Sequence, residues 1–191
     1  MTDRLGRWIS ILFDSSVLSL PVFLAFGYFS AGMSGVLWAI LALFIVTGIP
    51  LAYLLVGRTR GWVSDMELTR RDERPRFILV SLGSDLLALL ALAEGPHLLR
   101  VLVLAYFCLA ITVFTISNFW KISMHMAGVG GFSTALVFVF GLPALAAFVS
   151  LPIVALARLH RRKHTQAQLL AGALMGGLVT VLVFSWLGKW I

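Results

Sequence analysis

The chain has 191 residues, of which 60% are hydrophobic and 12% charged, with a formal net charge of +7. Soluble domains carry about 45–50% apolar and about 25% charged residues, so this composition leaves too little polar surface to coat a water-soluble globule. Disorder and a disulfide scaffold are excluded by the same figures, Cys108 being the single cysteine. A basic excess can suggest nucleic acid, but in a chain this apolar it points to cytoplasmic membrane loops or a site for an anionic headgroup. The expected class is all-α: a polytopic transmembrane bundle of six or seven helices, forming one integral membrane domain over 1–191.

A membrane helix needs about 20 mostly apolar residues. The first such run, about 8–29, follows Arg4 and Arg7. It is too long for a signal-peptide core and lacks a small-x-small cleavage site, so it reads as a retained helix. Ser30 to Gly35 makes a turn, and a second run covers 36–56. The longest polar segment, 57–76, reads GRTRGWVSDMELTRRDERPR. Runs at about 77–93 and 98–117 follow, hinged at Glu94-Gly95-Pro96. From Met126 to Ala157 a single helix would rise about 48 Å, well beyond a hydrocarbon core of about 30 Å. Gly141-Leu142-Pro143 supplies a turn there, giving two short helices at about 126–140 and 143–157. A last run spans 167–187.

With helices in that order, the polar segments 57–76, 118–125 and 158–166 all return to the side of the N-terminus. That side holds every lysine and arginine except Arg100 and Lys189. Loop Lys/Arg bias sets orientation, so the N-terminus and the polar face of this cell-membrane protein are expected to be cytoplasmic. Trp8, Trp62, Trp120, Trp186 and Trp190 read as interface anchors. Gly172 and Gly176 form a GxxxG that suits close helix packing inside the fold.

Three of the four histidines, His125, His160 and His164, lie on that face, and His97 lies opposite. Histidine exchanges protons near neutrality and can act as a nucleophile. His125 stands at a helix junction in WKISMH, and His164 stands in RLHRRKHTQAQ, just ahead of the last helix. If that helix begins near His164, Gln168 shares its face and orients the imidazole. Arg74, Arg158 and Lys121 are the cations for the same mouth, and arginine forks match phosphoryl oxygens in a bidentate way. Arg161, Arg162 and Lys163 read equally well as a topology anchor, His160 as a solvated loop residue and His97 as interfacial. His125, His160, His164, Asp65 and Glu67 show no ligand spacing such as HExxH, and no metal or other cofactor is expected.

Taken in order, these segments resemble the type-2 phosphatidic acid phosphatase superfamily of membrane lipid phosphatases, whose signature is KxxxxxxRP, PSGH and SRxxxxxHxxxD. Arg74-Pro75 matches the end of the first motif, Ser123-x-His125 part of the second, and Arg158 with His164 the third. The string RxxxxxHTxxQxxxG, from Arg158 to Gly172, is similar to dolichol-type polyprenyl diphosphate phosphatases, where glutamine takes the place of the aspartate. Glu67 stands where the first motif has lysine, Ile122 and Met124 replace the proline and glycine of the second, and Ala157 replaces a serine. Arg70, Arg71 and Lys121 are the candidates to supply the missing cation.

The resemblance implies that His164 attacks phosphorus, that Gln168 orients it, and that His125 serves as acid and then base. Arg74 and Arg158 would hold the phosphoryl oxygens, with Lys121, Ser123 and Arg71 as further phosphate contacts. The implied substrate is a polyprenyl phosphate or diphosphate, or a related lipid phosphate, among membrane lipids and without nucleic acid. Two other readings stay open: a non-catalytic protein that binds or moves anionic lipids, and a phosphotransferase whose acceptor is an alcohol.

Overall fold

Backbone amides surrounded by apolar side chains have no water to bond with, and a helix satisfies them within one segment. The computed structural model, which describes residues 15–187, contains helices and turns and no strand among those residues. In chain order the helices are α1 (Ser15–Leu43), α2 (Ile49–Thr59), α3 (Arg74–Ala91), α4 (His97–Phe119), α5 (Met124–Phe140), α6 (Ser150–His160) and α7 (Gln166–Leu187). A π-helical turn (Phe44–Gly48) joins α1 to α2, and 3-10 turns (Arg71–Glu73 and Leu142–Val149) lead into α3 and α6. Among the described residues four stretches are long and apolar enough to cross a membrane: Val17–Thr59, His97–Phe119, Leu142–His160 and Gln166–Leu187. Met124–Phe140 is apolar but shorter.

The predicted turn after the first run is present inside α1. Ala31 (φ −152°) and Gly32 (φ 59°) leave the helical region, and Gly32 takes a left-handed φ that glycine adopts at no steric cost. Gly27 and Gly35, on either side of this break, approach so closely that a β-carbon on either would strike the other's backbone. The chain therefore folds back on itself there. The expected first helix began at about residue 8, and positions 8–14 lie outside the described residues.

Elsewhere polar residues extend the helices past the apolar runs. The run expected at 77–93 begins at Arg74, that at 98–117 runs from His97 to Phe119, and that at 126–140 begins at Met124 and so includes His125. The run expected at 143–157 is 3-10 over Leu142–Val149, then α-helical to His160, which takes in Arg158. Backbone hydrogen bonding continues as long as φ and ψ allow, whereas hydropathy marks only where apolar side chains stop.

The described residues divide into two compact units: 15–22 together with 122–187, and Phe23–Lys121. In the first, α5 and α7 meet at their backbones. A β-carbon at Gly172 would lie 2.5 Å from the Ser123 carbonyl oxygen, one at Gly130 2.5 Å from that of Ala173, and one at Gly176 would collide with that of Ala127. Beside this seam Met126, Val129, Val154 and Leu169 form a core, with Leu18, Leu151 and Leu159 against it. In the second unit Phe23 stacks at a tilt on Tyr106, and Tyr53 on Phe77.

The GxxxG seam gives a sharp expectation. Gly176→Ala forces the α5 and α7 backbones apart and costs about 1–3 kcal/mol of stability, the usual range for overpacking. Gly177→Ala next to it meets only the Thr134 hydroxyl at 3.4 Å and should be near neutral. Thermal unfolding of both variants in detergent checks this, and equal effects would refute the seam.

Candidate functional site

The last turn of α6, the loop behind it and the first turn of α7 are set by two local motifs. Arg162 adopts a left-handed φ of 50°. Its amide donates to the Leu159 carbonyl at 2.9 Å, and the Lys163 amide reaches back to the Arg158 carbonyl at 3.1 Å. These bonds make a Schellman termination, with Arg162 where glycine usually stands. Two residues after Lys163 a capping box opens α7. The Gln168 amide donates to the Thr165 hydroxyl at 3.4 Å, and the Thr165 amide donates to Gln168 Oε1 at 3.2 Å. The spacing from Arg158 through His164 to Gln168 is thus a helix stop followed by a helix start.

His164 Nδ1 lies 3.1 Å from the same Gln168 Oε1. The atom that accepts from a backbone amide must be the carboxamide oxygen, so His164 Nδ1 is the donor and carries the proton. In the neutral form of this half-buried ring the lone pair is then on Nε2. This is the pairing expected from the sequence, reached by a different route. The helix begins at Gln166 and not at His164, and the capping box, not a shared helical face, brings the side chains together.

The second histidine is positioned by α5 and α6. Ser123 is the N-cap of α5: its hydroxyl accepts from the Met126 amide at 3.4 Å, and it is fully buried. His125 follows in the first turn and is 8% exposed. Val154 of α6 sits in the core beside Met126 and Leu169, and Arg158, one turn later on the same face, is 1% exposed. Its Nη2 stands 2.5 Å from His125 Nδ1. The two histidine assemblies are tied through the backbone, since the Ser123 amide donates to the Gln168 carbonyl at 3.3 Å.

The other expected phosphate contacts belong to the second unit. Arg74 opens α3, is 1% exposed, and donates from Nε to the Leu68 carbonyl at 3.0 Å. Leu68 itself is left-handed (φ 48°), in a turn built by Asp65. The Asp65 carboxylate accepts from the Glu67 amide at 2.8 Å and from the Thr69 amide at 3.3 Å. Arg71 donates from Nε to the Ser117 carbonyl at 2.9 Å and from Nη2 to that of Asn118. It caps the C-terminal end of α4, where a cation suits the helix dipole. Arg70 pairs with Asp72 at 2.7 Å, and this hydrogen bond holds the exposed Asp72 carboxyl below its ordinary range. Lys121 is half-buried just past α4. His160 is exposed at the end of α6, and among the described residues no three His, Cys, Asp or Glu side chains come together.

The sequence reading gave Asp65 no part beyond a possible metal ligand. Its signal was an aspartate opening a short polar turn, where the carboxylate bonds amides two to four residues on.

Comparison with protein-family models, with curated proteins and with solved structures returned no match.

Two outcomes test the site. Gln168→Ala and Thr165→Ala each remove half of the capping box and should cost about 1 kcal/mol. Only Gln168→Ala frees His164 to exchange tautomers, a difference read from the ring nitrogen shifts in 15N NMR. Replacing Arg162 by glycine relieves the left-handed backbone and should stabilise the protein by up to about 1 kcal/mol in thermal unfolding.

Proposed function

We propose that this chain is a multi-pass membrane lipid phosphatase, acting on a polyprenyl phosphate or diphosphate or a related lipid phosphate through a phosphohistidine. The observation that carries this reading is the contact of His164 Nδ1 with Gln168 Oε1. A nucleophilic imidazole needs a lone pair on one nitrogen and an anchored proton on the other, and in the neutral ring Gln168 Oε1 favours that arrangement by accepting from Nδ1. Further support comes from Arg158 at His125, from the N-terminal ends of α5 and α7, whose dipoles favour an anion, and from the resemblance of the three motifs to type-2 phosphatidic acid phosphatases.

Phosphoryl transfer depends mainly on in-line positioning and on stabilising charge on the equatorial oxygens. In the proposed reaction His164 Nε2 attacks phosphorus as the bond to the leaving oxygen breaks. That oxygen takes the proton from His125 Nε2, and the lipid product leaves. Water then attacks the phosphohistidine, giving its proton to His125, and the His164 N–P bond breaks to release inorganic phosphate. Arg158 holds the equatorial oxygens. The lipid tail would stay among the apolar helices, with its headgroup at the basic face, for which the loop charges favour the cytoplasm.

The test is phosphate release by detergent-purified protein in EDTA, from farnesyl diphosphate, a longer polyprenyl diphosphate and phosphatidate. His164→Ala should reduce release to background, and His125→Ala should lower it by about 10²–10⁴-fold, the usual contribution of a general acid–base group. Release indifferent to both substitutions would sink the mechanism. A folded protein that binds these lipids without turnover would favour anionic-lipid binding or transport.

A further inference from the structure

Arg158 Nη2 and His125 Nδ1 are 2.5 Å apart, with both side chains buried. A guanidinium keeps its protons and offers only donors, so Nδ1 is the acceptor. In this contact His125 therefore accepts at Nδ1 and carries its ring proton on Nε2. The lipid-phosphatase reading assigns the same guanidinium to phosphoryl oxygens. These are anionic and accept in pairs, so they are stronger partners for arginine than an imidazole nitrogen. Val154, one turn before Arg158, is fully buried in the core and anchors that face of the helix, so the exchange is one of side-chain partner and not of helix position.

We propose that Arg158 is a ligand-operated latch on His125, an inference that rests on the lipid-phosphatase reading. A tetrahedral oxyanion entering the site draws the guanidinium off Nδ1, and the freed nitrogen takes a proton from solvent. His125 becomes an imidazolium, the stronger acid, only while a phosphoryl group is bound. The protons balance through the cycle. Arginine keeps all of its own, and the Nε2 proton passes to the leaving oxygen. The ring is then neutral with its remaining proton on Nδ1, so Nε2 presents a lone pair to the attacking water. Water's proton then restores Nε2–H, and when phosphate departs Nδ1 gives back to solvent the proton it took on binding, so that Arg158 returns to Nδ1 and the ring resumes its resting tautomer. One exchange of partners thus turns a single histidine into an acid for the first step and a base for the second, and keeps it from protonating an empty site.

The experiment is 15N NMR of the full chain in detergent, labelled at histidine and titrated at fixed pH with orthovanadate as the probe. Without the oxyanion, His125 Nδ1 should show the shift of an unprotonated nitrogen and Nε2 that of a protonated one. Saturating orthovanadate should move Nδ1 into the protonated range while His164 also shifts. Arg158→Met, where it folds, should release the tautomer of His125 with no oxyanion present, a change that loss of packing alone would not produce. Orthovanadate that shifts His164 but leaves His125 Nδ1 unprotonated would overturn the latch and leave the phosphatase reading standing. Orthovanadate that shifts neither histidine would overturn both.

Discussion

The backbones of α5 and α7 touch along Gly130, Gly172 and Gly176, and the positions of both site histidines follow from that contact. Where the surroundings are as apolar as leucine, burial of apolar side chains gives helices little reason to associate, and close van der Waals contact between small residues takes its place. The seam runs to the N-cap of α5, where Gly172 of α7 meets the Ser123 carbonyl. It therefore sets their N-terminal ends level, and the amide of Ser123 bonds the carbonyl of Gln168 across it. A slip of one residue, a rise of about 1.5 Å, would break that bond and carry His125 out of step with His164.

Cations in this protein divide by what their donors face. Arg71 and Arg74 point their guanidinium groups at backbone carbonyls of Ser117, Asn118 and Leu68, which shapes the 57–76 segment and closes the end of α4. Arg158 faces a titratable ring instead. Carbonyl acceptors are fixed by the fold, whereas a ring nitrogen changes its protonation. That difference in acceptor chemistry, more than the number of positive charges, separates Arg71 and Arg74 from Arg158.

Much of the helical architecture was legible because apolar runs bounded by glycine, proline and charge leave few alternatives. The turn at Ala31–Gly32 and the packing role of Gly172 and Gly176 could be read from residue size alone. Helix ends were less legible, since Arg74, His97, His125 and Arg158 continue hydrogen-bond ladders that hydropathy does not report. The His164–Gln168 pair was found through its spacing, although the physical cause is a capping box outside the helix proper. The Arg158–His125 contact joins residues far apart in the chain, and no local pattern announces it. Asp65 escaped for the opposite reason, because an aspartate that organises its own turn looks like any acidic loop residue.

The 3-10 stretch from Leu142 to Val149 changes what a short segment can reach. A 3-10 helix rises about 2.0 Å per residue against about 1.5 Å in an α-helix. Leu142–His160 has 19 residues, which as uniform α-helix would extend about 28 Å, just under a hydrocarbon thickness of about 30 Å. With its first eight residues wound more tightly, the same stretch extends to about 32 Å. The Ala147 carbonyl accepts from the Ser133 hydroxyl at 3.2 Å and from the Ser150 hydroxyl at 2.5 Å, which holds the end of the stretched turn in place. The stretch thus gains from pitch the length that its residue count alone would not supply.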